Sequence, residues 1–317
     1  MGEFELIRRY FATASCARAG GEVVLGIGDD CALLAVPAGE VLAISTDTLV
    51  AGVHFPEGCD PFLLGQRALA VSASDLAAMG AAPIGFTLAL TLPAVEPVWL
   101  EGFARGLERM ASRCALRLAG GDTTRGPLTL TLTVFGRVPE GAALRRDGAH
   151  PGDLVCVGGG SLGDAAGALP LVLGQRSAAP PVAKPLLDQY WQPLPQLALG
   201  QALRGRASAA LDISDGLLAD CGHLATASGV ALFIDAPRVP RSAELVDFMG
   251  EEAAFACALA GGDDYRLAFT LPRQHLAALA ADWPITVIGE VRAGAGVHLL
   301  DAQGRPMEPP RRGYTHF

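Results

Sequence analysis

Lysine is almost missing from this chain. Lys184 is one of 24 cationic side chains, and the rest are Arg. A Walker A loop needs a lysine closing a glycine-rich turn, but Lys184 is followed by Pro185 and lies in no such turn. The strand lysine of protein kinases is equally unavailable. Paired cysteines are missing too. The seven Cys, at 16, 31, 59, 114, 156, 221 and 257, form no Cys-x-x-Cys, which removes zinc-finger and ribbon sites. An odd, unpatterned set in a chain this long reads as reduced thiols in a cytoplasmic protein. Positive charge is in deficit, 24 cationic against 33 acidic side chains for a net charge of −9. Nucleic acid, which wants a basic face, is not expected as a partner. An anionic substrate remains open if a metal ion stands between it and the protein. The first ten residues carry Glu3, Glu5, Arg8 and Arg9 and no apolar signal-peptide core. The run from Leu76 to Val95 has no charge, but Pro83, Gly85 and Pro93 break it into a helix end and a buried strand. No membrane span is expected.

What is present is apolar mass and recurring acid. Half of the 317 residues are apolar, enough for two cores, and the length favours two domains. A Gly- and Pro-containing stretch at 139–151, with Arg145-Arg146, reads as the linker, giving domains 1–138 and 139–317. Helical periodicity predicts helices over Phe4–Ala19, Phe62–Met79, Pro97–Arg113, Leu217–Ser228 and Glu251–Leu259. Strand patterns fall at Val23–Ile27, Ile84–Leu92, Ala115–Ala119, Leu128–Val134, Asp153–Val157, Ala207–Leu211, Tyr265–Leu271 and Ile285–Val291. Cys31–Val36 and Val41–Ile44 are expected to pair across Pro37-Ala38-Gly39, and the Pro-rich 172–195 stretch to cross the surface. Alternating strands and helices indicate an α/β fold with mixed sheets. Gly158-x-Gly160-x-x-Gly163 matches a dinucleotide fingerprint formally. No acidic residue follows some 20 positions on, so it reads as a strand-to-helix turn.

Short acidic stretches recur where apolar runs stop: Gly28-Asp29-Asp30, Ile44-Ser45-Thr46-Asp47-Thr48, Ser72-Ala73-Ser74-Asp75, Gly120-Gly121-Asp122, Asp212-Ile213-Ser214-Asp215-Gly216 and Gly261-Gly262-Asp263-Asp264. One Asp beside Gly or Ser is ordinarily a turn or a cap, and Ser214 suits the N-cap of the helix that follows. Asp75 is different. It is the sole charge between Arg67 and Glu96, on the helix face of Leu64, Ala68, Val71 and Met79. Buried unpaired it would cost several kcal/mol, so it needs a partner; a cap before Gly80 is the alternative. Asp30, Asp47, Asp75, Asp122, Asp212 and Asp215 are expected at strand or helix ends, gathered around metal-bound phosphates. Six carboxylates together need counter-charge, and Mg2+ commonly shares its shell between carboxylates and phosphate. Arg146 is the complementary phosphate-gripping cation, or a solvated linker side chain. His54, just beyond the Asp47 stretch, is either a structural histidine or a substrate contact.

Taken in order, Ile44–Val50, Gly52-Val53-His54-Phe55, Ser72–Gly80, Gly120–Thr123, Leu211–Leu217, Gly261–Tyr265 and the terminal Gly313–Phe317 resemble the thiamine-monophosphate kinases of the aminoimidazole-ribonucleotide synthetase superfamily, along nearly the whole chain. The resemblance implies direct, Mg2+-dependent transfer of the ATP γ-phosphoryl group to thiamine monophosphate, giving thiamine diphosphate and ADP. It implies a homodimer whose N-terminal sheets join into a barrel. By matching motif, Asp30, Ser45, Thr46, Asp47, Asp75, Asp122, Asp212 and Asp215 would ligate several Mg2+ ions. Arg105, Gly121, Asp122, Arg146 and Ser214 would contact ATP. His54, Asp263 and Tyr314 would contact the thiamine moiety. Asp47, Asp122, Asp212 and Arg146 would carry the catalysis. Two departures stand out: the family usually has Glu where this chain has Asp263, and often an aromatic side chain where this chain has Arg105.

Two other classes compete. One is another ATP-using member of the superfamily, of the ribonucleotide cyclo-ligase, selenophosphate synthetase or hydrogenase-maturation type; Cys16 is a poor match for the reactive cysteine of the selenophosphate enzymes. The other is a non-enzymatic acidic metal-binding module. A haloacid-type phosphatase is disfavoured, because Leu49 stands where a second Asp would follow Asp47.

Overall fold

A computed structural model describes residues 2–309, apart from the side chain of Glu3. Tyr314 lies outside the described residues. The chain divides into two compact units, Met1–Leu76 with Ala81–Gly141, and Ala77–Gly80 with Ala142–Phe317.

The N-terminal unit opens with a short helix α1 (Glu3–Leu6) that passes into a π-helical turn at Ile7–Phe11 and a 3-10 turn at Ser15–Ala17. The sixteen-residue helix expected from Phe4 is therefore broken into turns. Strands β1 (Val23–Leu25) and β2 (Leu33–Leu34) pair with each other. The expected hairpin across Pro37 is absent: β3 (Glu40–Val50) pairs antiparallel along its length with β6 (Thr129–Pro139). Strand β4 (Ala82–Leu92) joins β6 antiparallel and β5 (Arg117–Arg125) parallel, giving the order β3-β6-β4-β5. One face takes the apolar side chains Leu130, Leu132 and Val134 of β6, all buried. The other carries threonines, with hydroxyl pairs Thr46–Thr133 and Thr48–Thr131 at 2.9 Å. Helix α2 (Pro61–Ala78) covers the apolar face; a Cβ on Gly136 of β6 would lie 2.9 Å from Leu76 of α2. Helix α3 (Pro97–Cys114) lies against α2 so closely that a Cβ on Gly106 would sit 2.0 Å from the Phe62 carbonyl oxygen.

The C-terminal unit holds a six-stranded sheet, β12-β9-β11-β7-β10-β8. Its strands are β7 (Leu154–Gly158), β8 (Ala209–Asp212), β9 (Ala231–Asp235), β10 (Leu267–Leu271), β11 (Ile285–Arg292) and β12 (Gly296–Leu300). All neighbours run antiparallel except β12 beside β9. Helices α4 (Asp164–Val172), α5 (Pro180–Trp191), α6 (Leu197–Leu203), α7 (Leu217–Ser228), α8 (Ala243–Met249), α9 (Glu251–Ala260) and α10 (Leu276–Ala280) complete it. Val155, Val157 and Ala268 pack on Leu217, Cys221 and Leu224 of α7. On the other face Leu154, Cys156 and Phe269 pack on Leu199 and Leu203 of α6. Covering both faces explains why β7, β8 and β10 are unbroken buried runs rather than alternating ones. The stretch read as a Pro-rich crossover contains α5, with Pro at its first turn, where the missing N–H has no partner to lose. The two larger sheets are mixed, as expected for the α/β class.

Candidate active site

The N-terminal unit builds one acidic group on β3 and α2. Strand alternation turns Ser45 and Asp47 to the face shared with Val134 and Leu132, their partners in register. Asp75 of α2 accepts a short hydrogen bond from the Ser45 hydroxyl, and it is half-buried. The lone carboxylate of α2 thus turns inward. Ser72, one helical turn earlier, hydrogen-bonds Asp47. Burial, with repulsion from Asp75 second, pushes the Asp47 carboxyl up to about 6. Asp47 does not sit at a strand end as expected, since β3 continues to Val50. Thr46 faces the other way, its hydroxyl with Thr133, so it offers the Asp47 face no side-chain oxygen. Beyond the strand, His54 Nδ1 accepts the Val50 N–H at 3.0 Å. An accepting Nδ1 puts the neutral ring's proton on Nε2.

A second group lines a cavity of about 770 Å3 whose walls include Asp30, Gly121 and Asp122 together with Phe4, Phe11 and Arg8. Asp122 is exposed and lies inside β5, opposite Ala89 of β4, again not at a strand end. The β4–β5 register slips beside Ala119, a bulge that re-aims the residues after it. Gly121 is there for close approach: a Cβ would stand 1.9 Å from the Leu88 carbonyl oxygen. Arg105, on the exposed face of α3, rests over the Phe62 ring at 6.0 Å.

The C-terminal unit carries the remaining residues on loops at the ends of β8 and before β10. Asp212 is the buried last residue of β8. Ser214 is exposed and Asp215 half-buried. Ser214 does not cap α7; Gly216 holds that position without a side-chain cap. Asp220, one turn into α7, does the work instead, accepting the N–H groups of Ser214, Asp215 and Gly216 on Oδ2 at 3.0, 3.0 and 3.1 Å. Burial pushes its carboxyl up to about 6, while the backbone N–H groups pull it down. Asp263 N–H bonds to the Ser214 carbonyl at 2.9 Å and Tyr265 N–H to that of Ile213 at 2.8 Å, lashing the two loops together. Asp263 is held at φ 60°, and its Oδ1 accepts the Tyr265 hydroxyl at 2.8 Å. Asp264 turns inward, and its Oδ1 accepts the Gly163 N–H at 2.7 Å. The glycine-rich 158–163 turn is therefore anchored by a carboxylate of this chain. Arg145 is tied to Asp147 at 2.6 Å, whereas the exposed Arg146 makes no ion pair among the described residues.

The sequence reading placed six acids in one cage. Within the units, Ser45, Asp47 and Asp75 come together, as do Asp30, Gly121 and Asp122, and Ser214, Asp215 and Asp263. Ser72, Asp220 and Tyr265 were missed. Ser72 lies three residues before Asp75, on the same helical face, a local and legible signal; Asp220 is the first acid of α7, but its partners are backbone amides, which residue identity does not show.

Fold and loops define an AIR synthase related protein. The family models for the N-terminal and C-terminal domains of AIR synthase related proteins match residues 28–138 and 150–301. Thiamine-monophosphate kinase from Salmonella typhimurium is 44% identical over 322 aligned positions, covering 100% of this chain and 98% of that one. The crystal structure of thiamine-monophosphate kinase from Stenotrophomonas maltophilia K279a, 44% identical, superposes with a TM-score of 0.86 over 97% of this chain and 98% of that chain. AaThiL complexed with AMPPCP and TMP, 31% identical, gives 0.80 over 89% of each. The chain belongs to the thiamine-monophosphate kinase family. No helix among the described residues is long and apolar enough to cross a membrane.

Proposed function

We propose that this chain transfers the γ-phosphoryl group of ATP directly to the phosphate of thiamine monophosphate, releasing thiamine diphosphate and ADP. The observation that carries the reading is the Asp47–Asp75 pair with Ser45, set in a chain that matches thiamine-monophosphate kinases along its length. Its donors are all oxygen, the set hard divalent cations prefer. Burial and mutual repulsion leave Asp47 short of counter-charge at neutral pH, a deficit that Mg2+ fits. In the N-terminal unit Asp30, Ser45, Asp47, Asp75 and Asp122 would hold such ions, with Thr46 contributing only backbone oxygen; in the C-terminal unit Asp212 and Asp215 would. Bound Mg2+ neutralises charge on the transferring phosphoryl oxygens and orients them.

The chain's own groups do the rest. The cavity at Asp30, Gly121 and Asp122 offers Phe4 and Phe11 as apolar walls for the base of ATP and Arg8 as a cation. Arg146, which makes no ion pair among the described residues, grips phosphate oxygens bidentately, and Arg105 and Ser214 add ATP contacts. His54 presents Nε2–H as a donor to thiamine monophosphate. Asp263, held in place by the Tyr265 hydroxyl, sets a negative charge for the thiazolium cation, and Tyr314 adds an aromatic neighbour. No general base is needed, because the acceptor phosphate is already ionised at neutral pH. The N-terminal domain, 1–138, supplies metal and nucleotide ligands, and 139–317 completes the set.

The working form is a homodimer. Strand β3 is an edge strand, eleven residues long, with Leu42 and Ile44 exposed beside the open threonine face. Such an edge is a template for pairing, which favours N-terminal sheets joined into a barrel. All seven cysteines are free, which suits the cytoplasm. Incubation with ATP, thiamine monophosphate and Mg2+ tests the reaction. Stoichiometric thiamine diphosphate and ADP, abolished by chelator, are expected; ATP turnover that needs a ribonucleotide instead would overturn it.

A further inference from the structure

Asp220 has no part in the reaction as described, yet it is the most heavily engaged carboxylate beside the acidic loop. Three consecutive N–H groups, those of Ser214, Asp215 and Gly216, converge on its Oδ2 at 3.0 to 3.1 Å. Consecutive N–H groups at a helix start form an anion-binding nest, the kind of place where proteins hold phosphate. Here the occupant is internal and 5% exposed. One oxygen shared by three amides fixes the backbone of all three residues at once. Gly216 lets the nest close: its φ is 113°, and a Cβ there would lie 2.9 Å from the Ala260 backbone. One carboxylate oxygen each of Asp215 and Asp220 and one ring nitrogen of His223 lie within 4.8 Å of one another, but Oδ2 of Asp220 already accepts three backbone donors.

We propose that Asp220 is a positioning residue: it fills the anion nest of α7 and thereby fixes the backbone from which Asp215 serves as an Mg2+ ligand, and presents Ser214 by its hydroxyl rather than its amide. This rests on the metal-binding role assigned to Asp215 above. Two consequences follow. Phosphate does not enter this helix start, because its donors are taken. The Asp215 backbone needs no rearrangement when the metal arrives, since an internal anion already sets it.

The test compares Asp220→Ala and Asp220→Asn with the intact protein. Calorimetry with Mg2+ alone, and the Mg2+ dependence of turnover, are the readouts. Loss of an outer-shell partner weakens metal affinity about 10- to 100-fold, so half-saturating Mg2+ rises by that factor in Asp220→Ala. Asp220→Asn, which keeps an accepting oxygen, loses far less than Asp220→Ala. KM for thiamine monophosphate does not move in either. If Asp220→Ala fails to fold, the Asn variant and amide exchange decide: protected amides at Ser214, Asp215 and Gly216 are expected in the intact protein. Rapid exchange there, unchanged Mg2+ affinity in a folded Ala variant, or an Asn variant as impaired as Ala each overturns the assignment. An intact protein that binds Mg2+ in an Asp220-dependent way but makes no thiamine diphosphate would sink the kinase reading and leave this one standing.

Discussion

Replacing Asp47 by Asn separates what this carboxylate does for the metal from what it does to the fold. Burial first, and Asp75 second, raise its carboxyl from the ordinary 3.8 to about 6. A shift of about two units is worth roughly 3 kcal/mol. The sign follows from which state holds the proton more tightly. The folded chain does, so the associated stability is complete below about pH 4 and is lost as pH rises through about 6. Asn is never charged and escapes that loss. Without metal, Asp47→Asn is therefore more stable than the parent by up to about 3 kcal/mol at pH 8, by about half that at pH 5, and hardly at all at pH 4. Mg2+ reverses the order at pH 8, because it binds the ionised carboxylate and stabilises only a chain that has one. Turnover falls by about two orders of magnitude or more, as when a fixed charge facing the transition state is lost. Denaturant titrations of both proteins at three pH values, with and without Mg2+, check the whole pattern. A variant no more stable than the parent at pH 8 in chelator would refute the reasoning.

Other substitutions probe the remaining parts. Gly121→Ala drives a methyl into the Leu88 carbonyl and destabilises the N-terminal unit by about 2 kcal/mol or more, read by chemical denaturation. His54→Ala raises KM for thiamine monophosphate about tenfold by removing one charge-assisted donor, with KM for ATP unchanged in steady-state kinetics. Arg146→Lys keeps the charge but loses the planar fork, and raises KM for ATP about tenfold. Ile44→Glu sets a carboxylate on the exposed β3 edge and shifts sedimentation from dimer to monomer.

Much of the fold was legible because its helices are periodic and well punctuated. Pro97 opens α3, and Gly229, at φ 65°, closes α7 where the sequence placed it. The misses share a physical cause, long-range pairing. Ser45-Thr46-Asp47-Thr48 looked like the end of a strand because it is polar. In fact β3 pairs with β6, some ninety positions later, and its alternation sends Asp47 inward and Thr46 outward. Nothing local reveals that β1, rather than β3, partners β2. The Pro-rich stretch around α5 was read as a surface crossover, although the first helical turn tolerates Pro and the buried Leu186, Tyr190 and Trp191 hold the helix together despite Pro185 in its interior. The lone charge at Asp75 was the most informative single residue. The acid at Asp220 was passed over because its partners are backbone amides, which leave no trace in residue identity.

The central claim is that these carboxylates bind divalent metal for phosphoryl transfer to thiamine monophosphate. Crystals grown with Mn2+, AMPPCP and thiamine monophosphate test it most directly, through the anomalous signal of manganese. Peaks within coordination distance, about 2.2 Å, of Asp47, Asp75 and Asp122 in the N-terminal unit and of Asp212 or Asp215 in the C-terminal unit are the expected result. Bound nucleotide with those carboxylates free of metal would contradict it.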